Sequence, residues 1–98
     1  MELKKTAVAG TMESSDIMVT VEPRESGGIV LELTSSVMKQ YGRRIERVIR
    51  ETAAELGVEH ALICAVDKGA LDCTVRARVG AAIFRAAERE NITWEVGK

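Results

Sequence analysis

Ninety-eight residues, of which 14 are basic and 15 acidic for a net charge of −1, support one domain over 1–98 with a single two-layer core and little left to wall a deep active-site cavity. That balance offers no basic stripe for nucleic acid, and no apolar run approaches membrane-spanning length. Met1-Glu2-Leu3-Lys4-Lys5 is charged and runs into only a few apolar residues, so no signal peptide is expected, and with just two cysteines a cytoplasmic setting is the default.

The first element is a short strand over residues 6–10, closed by Gly10. Residues 11–16 are small and polar and form a turn or loop. The β-branched Ile17-Met18-Val19-Thr20-Val21 alternates as a half-buried strand, which Glu22-Pro23 and the pair Gly27-Gly28 break. Ile29-Val30-Leu31-Glu32-Leu33 puts Ile29, Leu31 and Leu33 on one face, and a loop this short predicts antiparallel pairing with the preceding strand.

Thr34-Ser35-Ser36 is a helix-start signal, followed by Val37, Tyr41, Ile45, Val48, Ile49, Thr52 and Leu56 as one apolar helical face ended by Gly57. Ala61 to Val66 is apolar on both faces, which predicts a central, covered strand. Asp67-Lys68-Gly69 turns the chain into a second helix near Ala70, with Leu71, Val75, Val79, Ala82, Ile83 and Ala86 as its stripe. Ile92-Thr93-Trp94-Glu95-Val96 alternates as a short last strand. The order β-β-β-α-β-α-β predicts an α+β two-layer sandwich, two helices on one face of a mostly antiparallel sheet.

Catalytic sets are hard to assemble from these residues. His60 is the sole histidine, no Gly-x-Ser-x-Gly elbow exists, and Cys64 lies in the expected buried strand, so the plain reading is a surface histidine and two small buried thiols. Cys64, Cys73 and His60 match no zinc spacing. Gly27-Gly28 lacks the Lys-Ser/Thr of a phosphate loop, and the anion-attracting helix start after Gly69 is flanked by Asp67 and Asp72. Lys39, Arg43, Arg44, Arg47 and Arg50 on the first helix, and Arg76, Arg78, Arg85 and Arg89 on the second, read as solvated faces with a docking role for an acidic partner as the alternative.

The turn Glu13-Ser14-Ser15-Asp16 remains. Local chemistry makes it an ordinary polar turn, yet a loop tip anchored by two strands is also what a covalently loaded serine requires: reachable by a modifying enzyme and on a rigid base.

Three blocks then carry a resemblance. Ala7-Val8-Ala9-Gly10-Thr11-Met12-Glu13-Ser14 with Asp16, Ser35-Ser36-Val37 with Lys39-Gln40-Tyr41-Gly42, and Asp67 to Cys73 with Arg76-Ala77-Arg78 resemble, in order and spacing, the acyl carrier protein or gamma subunit of citrate lyase. The resemblance implies a carrier that catalyses nothing itself. Ser14 would hold a covalently attached phosphoribosyl dephospho-coenzyme A, a relative of the phosphopantetheine arm, whose thiol bears acetyl and citryl thioesters. Its implied partners are the attaching enzyme, a transferase (alpha) subunit that exchanges acetyl for citryl, and a lyase (beta) subunit that releases oxaloacetate. Many family members have Ser-Gly-Asp, whereas Ser15 stands here in the glycine's place, removing its backbone freedom and offering a rival hydroxyl. Glu13 and Asp16 would position the loop or be read by the attaching enzyme. The carrier of malonate decarboxylase, and a non-covalent regulatory or interaction domain working through its basic helix faces, are the competing readings.

Overall fold

A computed structural model describes residues 1–88 and contains four strands and two helices. β1 is Ala7–Ala9, β2 Ile17–Pro23, β3 Ile29–Ser35, α1 Met38–Glu55, β4 Ala61–Asp67 and α2 Asp72–Ala86. The strand expected over residues 92–96, and Arg89, lie outside the described residues.

The sheet order is β1-β2-β4-β3. β2 is antiparallel to β1 and to β4, while β3 runs parallel to β4, so the sheet is mixed with two of its three pairings antiparallel. The expected β2–β3 hairpin is corrected: the two strands do run in opposite directions, but β4 lies between them. The connecting loop arches over the start of β4, where Gly28 accepts from the Ala61 N–H at 3.1 Å and donates its own N–H to His60 Nδ1 at 2.9 Å. β4 takes the centre because it is the most apolar strand, and central strands lose both polar edges to pairing.

Alternation is strict along β2 and β4. Ile17, Val19, Val21, Ala61, Ile63 and Ala65 are buried beneath the helices, with Ile45, Val48 and Ile49 of α1 and Val75, Val79, Ala82 and Ile83 of α2 above them. Burying each such aliphatic side chain contributes about 1.5–3 kcal/mol, and this single face holds the two layers together. The opposite face is uncovered among the described residues: Met18, Leu62, Cys64 and Val66 are only half-buried and Val8 and Val30 are exposed. Among the described residues the strand over 61–66 is therefore central but covered on one side only. Among the described residues no helix is long and apolar enough to cross a membrane.

Both helices start differently from expectation. α1 has Val37 as its N-cap without a side-chain capping bond; Ser35 Oγ accepts instead from the Val37 N–H at 3.0 Å, one residue ahead of the first turn. α2 begins at Asp72, so Leu71 precedes it and is 71% exposed. Tyr41, placed on the apolar stripe by its spacing, is 49% exposed. Gly57, at φ +77°, closes α1 as its sequence position requires.

Candidate functional site

The three sequence blocks meet at one rim of the sheet. The start of β2, the end of β4 and the end of β3 lie side by side, with Ile17 and Ser35 both opposite Asp67. The loop between β1 and β2 occupies this rim, and the β4–α2 turn runs beside it.

Gly10 roots that loop. It adopts φ +95°, and a Cβ there would stand 1.8 Å from the Ile17 carbonyl oxygen, so no other residue fits without moving the backbone. The Asp16 N–H donates to Glu13 O at 3.1 Å, which closes a turn with Ser14 and Ser15 as its two central residues. Both are exposed. Ser15 N–H donates to Lys68 O and Lys68 N–H to Asp16 O, each at 2.8 Å, so the β2–β4 ladder continues into the turn. Ser15 sits at φ +66°, the left-handed region. A glycine there meets no Cβ penalty, which is the physical reason for Ser-Gly-Asp in the resembled family. The Ser15 side chain is tolerated because it points to open solvent.

Asp16 clamps the loop from below. Its side chain is almost wholly covered and accepts Arg78 Nε and Nη2 at 3.0 Å each, Thr11 Oγ1 at 2.7 Å and the Ile17 N–H at 2.7 Å. The Arg78 fork, then the Thr11 and Ile17 donors, hold its carboxyl well below the usual carboxylate range. Of the two roles open to Asp16, positioning is the one its contacts fill. Glu13 is exposed and its carboxylate has no partner among the described residues. Arg78 was legible as a helix arginine and as part of the third resemblance block, but no pattern in the chain signals that it reaches the loop, because that pairing joins residues 62 positions apart.

Asp67 ties the second and third blocks. It is 1% exposed and accepts Ser35 Oγ at 2.8 Å and the Gly69 and Ala70 N–H groups at 3.0 Å. Its carboxylate shapes the turn rather than capping α2. Asp72 is engaged too, by Arg44 Nε at 2.9 Å. The two acidic residues that argued against an anion near this turn are thus both committed to neighbours.

The rejected chemistries stay apart. His60, half-buried, lies at the start of β4 and Cys73 just inside α2, at opposite ends of the sheet. Both cysteines are free. Cys73 is exposed, which corrects the expectation of two buried thiols. Cys64 is half-buried on the uncovered face, where desolvation and then the Glu32 carboxylate 3.5 Å away push its thiol up and keep it protonated. No cluster of metal-ligating side chains exists among the described residues. The basic faces are solvated, as expected, and several of their arginines bind neighbours at the surface: Arg50 binds Glu46 and Ile29 O, Arg76 binds Glu55, and Arg85 binds Val8 O.

An exposed hydroxyl-bearing turn on a braced rim is an arrangement a covalent carrier can use, and comparison with known proteins points to that class. The family model described as "ACP: Malonate decarboxylase delta subunit (MdcD)" matches residues 4–86. The citrate lyase acyl carrier protein of Streptococcus equi subsp. equi is 58% identical over 95 residues, 97% of this chain and 93% of that one. That of Escherichia fergusonii is 57% identical over 94 residues, 96% and 97% of the two chains. A chain of a Pseudomonas malonate decarboxylase hetero-tetramer, solved with malonate, shares the fold at TM-score 0.71 and 24% identity, over 85% of this chain and 84% of that one. The chain belongs to this acyl carrier family and, within it, to the citrate lyase acyl carrier proteins.

Proposed function

We propose that this protein is the carrier subunit of a citrate lyase complex and that Ser14 is the attachment point of a phosphoribosyl dephospho-coenzyme A arm. The observation that carries the reading is the turn at residues 13–16, which lifts Ser14 clear of the surface while Gly10, Asp16–Arg78 and the Lys68 bonds hold its base. The residues fit such a group in that the Ser14 hydroxyl stands exposed on a braced turn, open to an attaching enzyme. When attached, the arm supplies a thiol that holds an acyl group as a thioester. The chain's own work is positional. A rigid root confines the tether and so raises the local concentration of its far end at each partner's site, the transferase and lyase subunits.

Ser14, not Ser15, is assigned the arm by its register in the resemblance block, with Gly10-Thr11 before it and Asp16 after it. Intact mass of the chain co-expressed with the citrate lyase attachment enzymes tests this: Ser14→Ala abolishes the added mass and Ser15→Ala keeps it. Retention of the mass in Ser14→Ala refutes the assignment. A second reading, the carrier of malonate decarboxylase, is favoured by the matching family description and the shared fold. Complexes reconstituted with citrate lyase or malonate decarboxylase subunits and assayed with each acid separate the two.

A further inference from the structure

A cleft of about 540 Å³ opens beside the Ser14 turn, between the N-terminal part of α1 and the β4–α2 turn. Val37, Ile45 and Ala70 give it apolar walls, Tyr41 and Leu71 stand exposed at it, and Arg44 crosses to Asp72. The size, and an apolar lining with few polar groups, suit a small-molecule moiety. The larger cleft, about 810 Å³, is polar and lies at the far end of the sheet around Met1, Arg24 and His60.

Position links the apolar cleft to Ser14. Ser15 N–H is bonded to Lys68 O, and Gly69 already lines the cleft, so the Ser14 backbone lies within about 10 Å of the cleft wall, the summed virtual-bond lengths being an upper bound. Tyr41 supplies an aromatic face on a helical stripe whose later members, Ile45, Val48, Ile49 and Thr52, are all buried. Arg44, exposed and held only by Asp72, is free to exchange that partner for a phosphate.

From these features we infer that the cleft seats the purine nucleoside of the arm, its base stacked on Tyr41 and its phosphates within reach of Arg44. The inference rests on the reading of Ser14 given above. In a phosphoribosyl dephospho-coenzyme A arm the phosphoribosyl group stands between serine and adenosine, so the purine lies one sugar-phosphate from the protein and much nearer to it than the pantetheine thiol. Seating it shortens the swinging portion to the pantetheine tail and directs that tail away from one place on the rim.

The test uses backbone amide NMR on the unloaded full chain, with free dephospho-coenzyme A and free 4′-phosphopantetheine as separate probes. Dephospho-coenzyme A is expected to shift the amides of Tyr41 and of residues 69–73, and phosphopantetheine at the same concentration to leave them in place. Tyr41→Phe keeps this binding, whereas Tyr41→Leu, which retains apolar volume, weakens it roughly fivefold or more. In the loaded chain, verified by mass, the same amides differ from those of unloaded Ser14→Ala. The inference is overturned if dephospho-coenzyme A moves none of them, if both probes move them equally, or if loading perturbs residues 11–16 alone. It is also overturned if purified transferase or lyase subunit occupies the cleft while the nucleotide does not. Should no mass be added at all, the Ser14 reading fails, and the free-probe titration still decides the cleft.

Discussion

Replacing Ser15 by glycine should stabilise the protein. Ser15 holds φ +66° at the turn, a conformation that costs an L-residue about 1–2 kcal/mol. Glycine removes that cost but gives the unfolded chain back about 0.4–1 kcal/mol of backbone freedom. The expected net gain is about 0.5–1 kcal/mol, which for a domain of this size raises the melting temperature by roughly 2–8 °C. No other contact changes, since the Ser15 hydroxyl has no partner and its N–H bond to Lys68 survives the substitution. Thermal melting followed by circular dichroism measures it, with Ser15→Ala as control. Alanine deletes the hydroxyl but keeps the Cβ, so its melting temperature should match the parent within a degree or so, because the strain comes from the Cβ. A Ser15→Gly protein no more stable than the alanine variant would refute this, and would mean that the turn relaxes around serine without cost.

Three further outcomes follow from the rim. Gly10→Ala drives a Cβ to within 1.8 Å of the Ile17 carbonyl oxygen and should cost at least about 2–3 kcal/mol, visible as a lowered urea midpoint. Asp67→Ala leaves a half-buried hydroxyl and two half-buried amides without their carboxylate acceptor and should cost about 2–3 kcal/mol in urea unfolding, with hydrogen exchange quickening at Gly69 and Ala70. The Asp16–Arg78 clamp sets an acid dependence: the folded carboxyl titrates below its unfolded counterpart, so the clamp's stabilisation is complete above about pH 4–5 and is lost as pH falls further. An Arg78→Gln protein should therefore lose less stability than the parent between pH 5 and the acid limit, and identical acid profiles would rule the clamp out as a source of it.

Local signals in the chain were sufficient for the elements but not for their neighbours. Alternation at Ile17, Val19 and Val21 and the helical recurrence of Ile45, Val48, Ile49 and Thr52 each report which face meets the core, and those faces are buried. A loop's length speaks only to the strands it joins. It predicted a β2–β3 hairpin, whereas the fact that Ala61–Val66 is apolar throughout was the better guide, since it marks the strand that competes best for the centre. Tyr41 and Leu71 show the same limit in the helices. Their spacing fits the apolar stripes, but each lies at the rim where α1 and α2 begin, beyond the reach of the sheet, so periodicity could not tell a core position from an exposed one.

The site divides along similar lines. Gly10, the polar run after it and the break in pattern before Ile17 announce an exposed turn, and nothing local raises Ser14 above any other loop serine. What distinguishes it is the amount of structure assigned to holding that turn still. Arg78 comes from α2, Lys68 from the turn after β4, and Ser35, through Asp67, from the end of β3. Each of these contacts spans at least 32 residues or crosses between elements, so none has a local signature. A loop that merely connected two strands would not require a bidentate arginine and a buried aspartate beneath it, because surface loops are ordinarily where a fold tolerates motion. Rigidity in an otherwise exposed hydroxyl-bearing turn suits a group that must leave the surface from a defined point. The braces therefore bear on function more directly than the serine does: loosening them with Arg78→Gln should leave Ser14 chemically competent to accept the arm while lowering the rate at which partner subunits use it, and an unchanged turnover rate in the assembled complex would show that the rim's rigidity serves stability alone.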